Sequence, residues 1–176
     1  MLSDALGPAQ VAALLVLTQR ALEEAYSQYN SRRLLLQGAR EEGRDFYPVV
    51  AATHLCWIAG LALLVPVNTP LNLPPILAFL ALQPLRYWII GSLGRFWTHR
   101  VISLAGAPIV TRGPYRVIRH PNYALTVAES FLLPLAFGQL ALAIIFTSLW
   151  IVVLRYKIRI EDGALQQRRL RTAASV

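Results

Sequence analysis

Long apolar runs, separated by polar and arginine-rich segments, dominate this sequence. Four of the runs are Val49–Val67, Leu73–Leu93, Tyr123–Phe137 and Leu140–Tyr156. A helix needs about 20 mostly apolar residues to cross a bilayer, so the pattern predicts membrane-spanning helices. Because only two residues separate the last two runs, these runs are predicted to form a tight helical hairpin.

A shorter apolar run, Leu6–Leu17, leaves two arrangements open. Either it is the inner part of a first span that starts near Met1, which gives five spanning helices, or it lies in the interface, which gives four. The following segment, Arg20–Tyr47, contains few helix breakers before Gly38 and has acids and arginines at i,i+3 and i,i+4 spacing. We therefore expect the first helix to continue out of the membrane with a solvated, charged face.

The distribution of basic residues predicts an orientation. Arginines cluster in Arg20–Tyr47, in Arg95–His120 and in the tail after Leu154, whereas the turns Pro66–Pro74 and Gly138 contain none. Basic loops favour the cytoplasmic side of a membrane. Five spans, with the N-terminus outside and the C-terminus in the cytoplasm, place all three basic segments on that side.

The composition supports a membrane protein of one domain. Of 176 residues, 56% are hydrophobic and 15% are charged, whereas soluble domains carry roughly 25% charged residues. The net charge of +8 falls in clusters between apolar runs, which argues against a nucleic-acid-binding surface. Sixteen arginines against one lysine hint at a GC-rich bacterial genome, and hence at a bacterial inner membrane. The predicted fold class is an all-α, polytopic membrane helix bundle.

The sequence lacks the motifs of several common nucleotide-binding, hydrolase and metal sites. No glycine-rich dinucleotide or phosphate-binding string occurs, and no G-x-S-x-G elbow is present. No pair of histidines has zinc-binding spacing, and the single cysteine, Cys56, excludes a cysteine-rich metal site. We therefore expect no metal site.

The loop Arg95–Tyr123 is the segment richest in candidate chemistry. Pro121 suits the first turn of a helix, whose free N–H groups would point into the loop and favour an anionic group. Aromatic residues of the loop, such as Trp97 and Tyr115, suit a cationic group. A basic loop with interfacial aromatics that grips lipid headgroups explains the same spacing equally well.

Two strings of this sequence carry a family resemblance. The segment Gly113–Tyr123 (GPYRVIRHPNY), followed by the helical hairpin and by Glu161–Leu165 (EDGAL), resembles the isoprenylcysteine carboxyl methyltransferase family. These enzymes are integral membrane proteins that use S-adenosylmethionine. The resemblance covers Phe96–Leu165, which implies one methyltransferase domain over residues 1–176, with N-terminal helices in 1–94 and a catalytic half in 95–165. The first half is similar to a bacterial branch associated with polyketide lipids.

The resemblance implies a cytoplasmic cofactor pocket between the loop before the fourth helix and the C-terminal segment. The implied cofactor-binding residues are Ile109, Val110, Tyr115, His120, Pro121, Asn122, Tyr123 and Glu161. The implied catalytic residues are Lys157, Glu161 and His120. Lys157 stands where the family has an arginine, so it keeps the charge but lacks the planar fork. Lys157 or Arg119 would orient an anionic acceptor, and His120 could serve as base for a hydroxyl acceptor.

The predicted function is S-adenosylmethionine-dependent O-methylation of a lipophilic molecule that enters from the bilayer. The acceptor oxygen belongs either to an isoprenylcysteine-like carboxylate or to the hydroxyl of a long-chain alkylpyrone or alkylresorcinol. The alternative is a non-enzymatic membrane scaffold or lipid-binding protein.

Three further ionisable residues lie inside the predicted spans. Arg86 and Glu129 each sit about eight residues from the inner end of their helices, roughly 12 Å deep. Such residues usually face the protein interior and pair, so we predict an Arg86–Glu129 contact that clamps the bundle. His54, in the second run, is predicted to be a hydrogen-bonded core histidine.

Overall fold

The computed structural model describes residues 6–174, and their side chains through residue 166. Within that range the chain is mostly helical. Its long helices are α1 (Pro8–Leu36), α2 (Tyr47–Leu64), α3 (Leu73–Leu93), α4 (Pro121–Leu135) and α5 (Leu140–Ala174). The helical bundle expected from the sequence is thus confirmed, and α4 and α5 form the tight hairpin.

A short pair of strands departs from the all-α prediction. Strand β1 (Arg40–Glu42) pairs antiparallel with β2 (Val101–Ser103), with Arg40 opposite Ser103. Three-residue strands are too short to show the alternating pattern that identifies a strand in a sequence. The pair ties the chain after α1 to the loop that precedes α4.

Three segments of the described chain are long and apolar enough to cross a membrane: Arg44–Leu64, Leu73–Phe96 and Leu140–Gln166. Helix α4 has 15 residues and is therefore about 22 Å long, shorter than the ~30 Å hydrocarbon core. Helix α1 is long enough, but it contains charged residues. The expected start of the first span, near Met1, lies outside the described residues.

Helix α1 runs without a break from Pro8 to Leu36, which confirms that the first apolar run and the polar segment after it form one helix. The expectation of a solvated charged face is wrong for two of its residues. Arg20 and Glu23 are only 8% and 6% exposed. Their charges are balanced by partners on two other helices.

An ion network joins α1, α3 and α4. Arg86 bonds both carboxylate oxygens of Glu23, at 2.6 and 2.7 Å, and reaches Glu129 at 2.9 Å. Arg20 contacts Glu23 at 2.6 Å and Glu129 at 2.8 Å. The predicted Arg86–Glu129 contact is confirmed, and it belongs to a set of two arginines and two glutamates whose charges sum to zero. Such pairing is what permits charged groups inside a membrane bundle.

Apolar packing surrounds this network. The largest cluster of buried side chains joins α1, α2, α3 and the end of α4, and includes Ala13, Trp57 and Leu133. A second cluster centres on Trp150 of α5. His54 packs edge-on against Trp150, with ring centroids 4.5 Å apart. Among the described residues no hydrogen bond reaches His54, so the prediction of a hydrogen-bonded histidine is wrong.

Candidate functional site

The loop between α3 and α4 is fixed on the C-terminal half of α1. The Asn30 side-chain amide donates to the carbonyl oxygens of Gly94, at 3.2 Å, and Trp97, at 2.9 Å. One turn earlier, the Ser27 hydroxyl accepts from the His99 amide at 2.7 Å. Three backbone groups of the loop are thus satisfied by side chains of α1, so the loop begins in a defined position.

The second half of this loop is pressed against α3. Arg112 Nε donates to the Ser92 carbonyl at 2.8 Å. Gly113 has a φ of +58°, and a Cβ at that position would lie 2.2 Å from Ser92 Oγ. Only glycine combines that backbone conformation with so close an approach. The 3-10 turn Gly113–Arg116, which contains Tyr115, is placed by these contacts.

Helix α5 supplies the opposite wall. Lys157 is buried, and its Nζ donates to the His99 carbonyl at 2.8 Å. The same ammonium lies 5.3 Å from the centre of the Tyr123 ring, at the start of α4. One side chain therefore connects α5 to both ends of the loop.

These elements enclose a cavity of about 250 Å³. It is lined by most of the residues implicated by the family resemblance: Tyr115, His120, Asn122, Tyr123, Lys157 and Glu161. A neighbouring cavity of about 480 Å³ shares Tyr115 and His120 with it, and is lined in addition by Ile109 and Val110. The larger volume lies within the roughly 300–1,000 Å³ that is usual for small-molecule sites, and the smaller one lies just below it. Pro121 is buried in the first turn of α4 and lines neither cavity.

Glu161 lies where the loop and α5 meet. The Tyr123 hydroxyl donates to one of its carboxylate oxygens, and His120 Nδ1 lies 3.5 Å from the other. The rings of His120 and Tyr123 stack, with centroids 5.2 Å apart. The next residue, Asp162, pairs instead with the exposed Arg119. Arg119 lines the larger cavity, and its guanidinium is paired with Asp162.

Two polar atoms in the wall of the smaller cavity lack a protein partner. His120 Nε2 and Asn122 Oδ1 are buried, and neither has a hydrogen bond to any described residue. Buried polar groups are nearly always paired, so such atoms in a cavity wall indicate a ligand that supplies the missing partner. Together with the Glu161 carboxylate and the first turn of α4, they suit a ligand that carries both cationic and anionic groups.

Tyr115 contributes a proton donor at the boundary of the two cavities. Burial, and then the nearby Glu161 carboxylate, raise the pKa of Tyr115 above its ordinary value of 10.0. Its hydroxyl therefore remains protonated at neutral pH.

One polar pair close to this site was missed by the sequence reasoning. His99 Nδ1 lies 2.7 Å from Glu24 Oε2 of α1, and the His99 ring packs edge-on against Trp97. The two residues are 75 positions apart, and Glu24 belongs to the segment interpreted as a solvated face. The only signal was that His99 lies in the loop that carries the other candidates.

Comparisons with known proteins found a family and a relative that resemble this chain. The family model of the isoprenylcysteine carboxyl methyltransferase (ICMT) family matches residues 75–167, just over half of the chain. The uncharacterized protein YpbQ of Bacillus subtilis (strain 168) is 32% identical over 159 residues, which cover 87% of this chain and 94% of that protein. No solved structure matches the chain.

Proposed function

Because the chain belongs to the isoprenylcysteine carboxyl methyltransferase family, a family of membrane methyltransferases, we propose that it methylates an oxygen atom of a lipophilic acceptor with S-adenosylmethionine as methyl donor. One observation carries the proposal. The loop string ending at Tyr123 and the acid Glu161 of α5, which are far apart in the sequence, line one cavity. The family match spans both of them.

The residues of this cavity fit the methyl donor. Glu161 is placed to hold its cationic or hydroxyl groups, and the start of α4, with Asn122, is placed to hold its carboxylate. The unpartnered His120 Nε2 and Asn122 Oδ1 provide further hydrogen-bonding atoms. Tyr115 and Tyr123 add aromatic faces, which attract a cation. Ile109 and Val110 extend the site along the larger cavity, and Pro121 acts by starting α4.

Methyl transfer from S-adenosylmethionine mainly requires the protein to position the two reactants. S-adenosylmethionine supplies a methyl group already activated by its sulfonium. The protein therefore has to align the acceptor oxygen and exclude water. A carboxylate acceptor is ionised at neutral pH and needs no base, whereas a hydroxyl acceptor benefits from one. Lys157 bounds the cavity next to Glu161 and can orient an anionic acceptor. Lys157 and Glu161, with His120, form the catalytic set of this proposal.

The acceptor class follows from the membrane location. A lipophilic molecule can enter between helices without crossing water. The two candidates are an isoprenylcysteine-like carboxylate and a long-chain alkylpyrone or alkylresorcinol, the second being associated with the bacterial branch that the N-terminal half resembles. The match to a Bacillus protein favours a bacterial membrane, where prenylated cysteines are not expected.

We further propose that α1 and α4 cross the bilayer beside α2, α3 and α5. Support comes from the ion network, because Arg86 lies inside the α3 span and contacts Glu23 of α1 and Glu129 of α4 at the same depth. Five crossings put the N-terminus outside and the basic loop before α4 in the cytoplasm, where S-adenosylmethionine is available.

The proposal is tested with bacterial membranes that contain or lack the protein. Membranes are incubated with S-adenosylmethionine carrying a tritiated methyl group, and the organic extract is counted. We expect label in the lipid fraction only when the protein is present, and a loss of that label in Glu161→Gln membranes. Folded protein that binds no S-adenosylmethionine and transfers no label would instead favour a membrane scaffold or lipid-binding protein.

A further inference from the structure

A second, largely apolar cleft lies between α1 and α2, apart from the two cavities of the candidate site. Its volume is about 270 Å³, and its apolar wall includes Leu17, Val50, Leu55 and Ile58. Leu17 is 39% and Leu55 57% exposed, so the cleft opens to the surface of the bundle. Because α2 is long and apolar enough to span a bilayer, we expect that opening to face lipid. An alkyl chain can enter there directly from the membrane.

The inner end of the cleft carries the His99–Glu24 pair. Both side chains line the cleft, and Nδ1 of the imidazole lies 2.7 Å from the carboxylate. A proton on Nδ1 that is donated to a carboxylate leaves Nε2 as the acceptor atom. Burial lowers the pKa of His99 below its ordinary value of 6.5, so the neutral imidazole dominates at neutral pH.

Titratable and charged groups of α1, α2 and α5 surround His99. Tyr47 and His54 of α2 line the same cleft, as does Arg20 of α1. From α5, the Lys157 ammonium bonds the His99 carbonyl. The charge of Arg20 is balanced by Glu23 and Glu129. Arg20 is thus already paired with acids, and Lys157 lines the neighbouring void and the first cavity of the candidate site but not this cleft.

The cleft approaches the first cavity of the candidate site through a narrow neck. A void of about 10 Å³ is bounded by Tyr47, Val50 and His99, which also line the cleft, and by Arg100 and Lys157, which also line that cavity. The void holds about one water molecule. Lys157 lines both the void and the first cavity, so the position of its side chain sets the width of this connection.

We propose that this cleft binds the alkyl chain of a long-chain phenol or enol, and that His99, oriented by Glu24, accepts the proton of the acceptor's hydroxyl. The inference rests on the proposed methyltransferase function and narrows its acceptor to a neutral hydroxyl compound. A carboxylate acceptor has no proton to lose, so it would make no use of the His99–Glu24 pair.

The proposed step balances. His99 Nε2 takes the hydroxyl proton, and the acceptor oxygen forms a bond to the methyl carbon of the sulfonium donor. The carbon–sulfur bond breaks, and its electron pair returns to sulfur, which becomes a neutral thioether. The imidazolium that results is stabilised by Glu24 and releases its proton to water.

Binding without the methyl donor is the first test. Protein in nanodiscs is titrated with 5-pentadecylresorcinol, with pentadecylbenzene and with hexadecanoic acid. We expect the resorcinol to bind at least about tenfold more tightly than pentadecylbenzene, as one good hydrogen bond in a buried site allows. His99→Gln should reduce that preference. His54 lines the same cleft but has no carboxylate partner among the described residues, so His54→Gln should alter the affinity for all three ligands and leave the preference for the resorcinol in place. Equal affinities in wild-type protein, or a stronger preference for hexadecanoic acid, would overturn the inference.

Measurements of kcat distinguish a His99 that accepts a proton from a His99 that only stabilises the fold. For 5-pentadecylresorcinol, His99→Gln should lower kcat by about 10²–10⁴-fold, the usual contribution of general base catalysis. The loss should shrink for ring-fluorinated analogues, whose hydroxyls are more acidic. Glu24→Gln should show the same trend to a smaller degree, and it serves as the second variant if His99→Gln does not fold. An equal loss for all analogues would contradict proton transfer to His99.

A titration of wild-type protein with S-adenosylmethionine distinguishes failure of the proposed methyltransferase function from failure of the proposed acceptor site. Wild-type protein that binds no S-adenosylmethionine and transfers no methyl group contradicts the methyltransferase proposal itself. Wild-type activity that is indifferent to His99 and Glu24 contradicts only the acceptor site.

Discussion

Asn30, in the last part of α1, and Asn122, in the first turn of α4, differ in whether their side chains have hydrogen-bond partners. Asn30 has hydrogen bonds to two loop carbonyls. Asn122 has a buried side-chain oxygen without a partner among the described residues. A partnered group stabilises the fold, whereas an unpartnered group in a cavity costs stability until a ligand binds.

The first prediction contrasts alanine substitutions at these positions. Asn122→Ala should leave thermal stability in detergent unchanged or slightly higher, and weaken S-adenosylmethionine binding by about tenfold, the equivalent of ~1.4 kcal/mol. Asn30→Ala should instead destabilise the protein by about 1–3 kcal/mol, because two carbonyl groups lose their donor. A large loss of stability in Asn122→Ala would show that its role is structural.

At the scale of single residues, motif and spacing predicted only some of the residues of the candidate site. The strings around Tyr115, His120 and Glu161 could be recognised because they are continuous in sequence. The pair His99–Glu24 could not, because it is formed by the packing of the loop on α1. Arg20 and Glu23 were misjudged for the same reason, since i,i+3 spacing indicates a helix face but not what covers it.

The loop before α4 approaches α3 closely at Gly113, and single substitutions can test how much this contact matters. Gly113 has a positive φ and is pressed on α3, while Gly106, in the same loop, also has a positive φ but no neighbouring atom within 4 Å of a Cβ placed there. The comparison separates backbone strain from steric contact.

The second prediction is that Gly113→Ala is the more harmful of the two changes. Gly106→Ala should cost only the strain of a left-handed conformation, about 1–2 kcal/mol. Gly113→Ala should cost more, because it also displaces Ser92, and it should weaken donor binding by moving Tyr115. Thermal unfolding and a donor titration of both variants check this. Equal effects on donor affinity would mean that the turn does not place Tyr115.

The third prediction concerns the ion network of α1, α3 and α4. Replacing one member, as in Glu129→Met, leaves an uncompensated buried charge and should destabilise the bundle by about 3–5 kcal/mol. Adding Arg86→Met restores neutrality, so the double variant should be less destabilised than Glu129→Met alone. Unfolding in detergent measures both.

A simple charge exchange is not the right control for this network. Arg86→Glu combined with Glu129→Arg would place the new carboxylate against Glu23, which Arg86 normally binds through two nitrogens. This exchange should fail to restore stability. Additive effects in the methionine double variant would contradict a shared network.

The elements themselves followed closely from the hydrophobic pattern. Helix α3 has the bounds of the predicted run, Leu73–Leu93, and Pro121 begins α4 as its ring geometry favours. Helix α5 extends well beyond the apolar run because its polar continuation contains no proline. The strand pair β1–β2 depends on contacts between distant segments, so no local pattern could indicate it.

At the scale of the whole molecule, the number of crossings is the fourth prediction. In a Cys56→Ser background, cysteines are introduced at Asn68, between α2 and α3, at Arg116, in the loop before α4, and at Gln139, between α4 and α5. A membrane-impermeant maleimide should label Asn68→Cys and Gln139→Cys in right-side-out vesicles, and Arg116→Cys only in inside-out vesicles.

The same experiment identifies which helix fails if the topology differs. Labelling of Gln139→Cys and Arg116→Cys from the same side would show that the short α4 does not cross. Length and hydropathy could not decide this point, since α4 owes its place in the bundle to Glu129 as much as to its apolar residues.

A single methyl-donor site shared by the loop and α5 is the central proposal, and a calorimetric titration of purified protein with S-adenosylmethionine tests it directly. Glu161 lines the cavity, whereas its neighbour Asp162 pairs with the exposed Arg119. Glu161→Gln should weaken binding by about 10–100-fold, because a charge-assisted hydrogen bond is worth about 1.5–3 kcal/mol. Asp162→Asn should bind like the wild type. Absence of binding by folded wild-type protein, or equal affinities of all three proteins, would contradict the account.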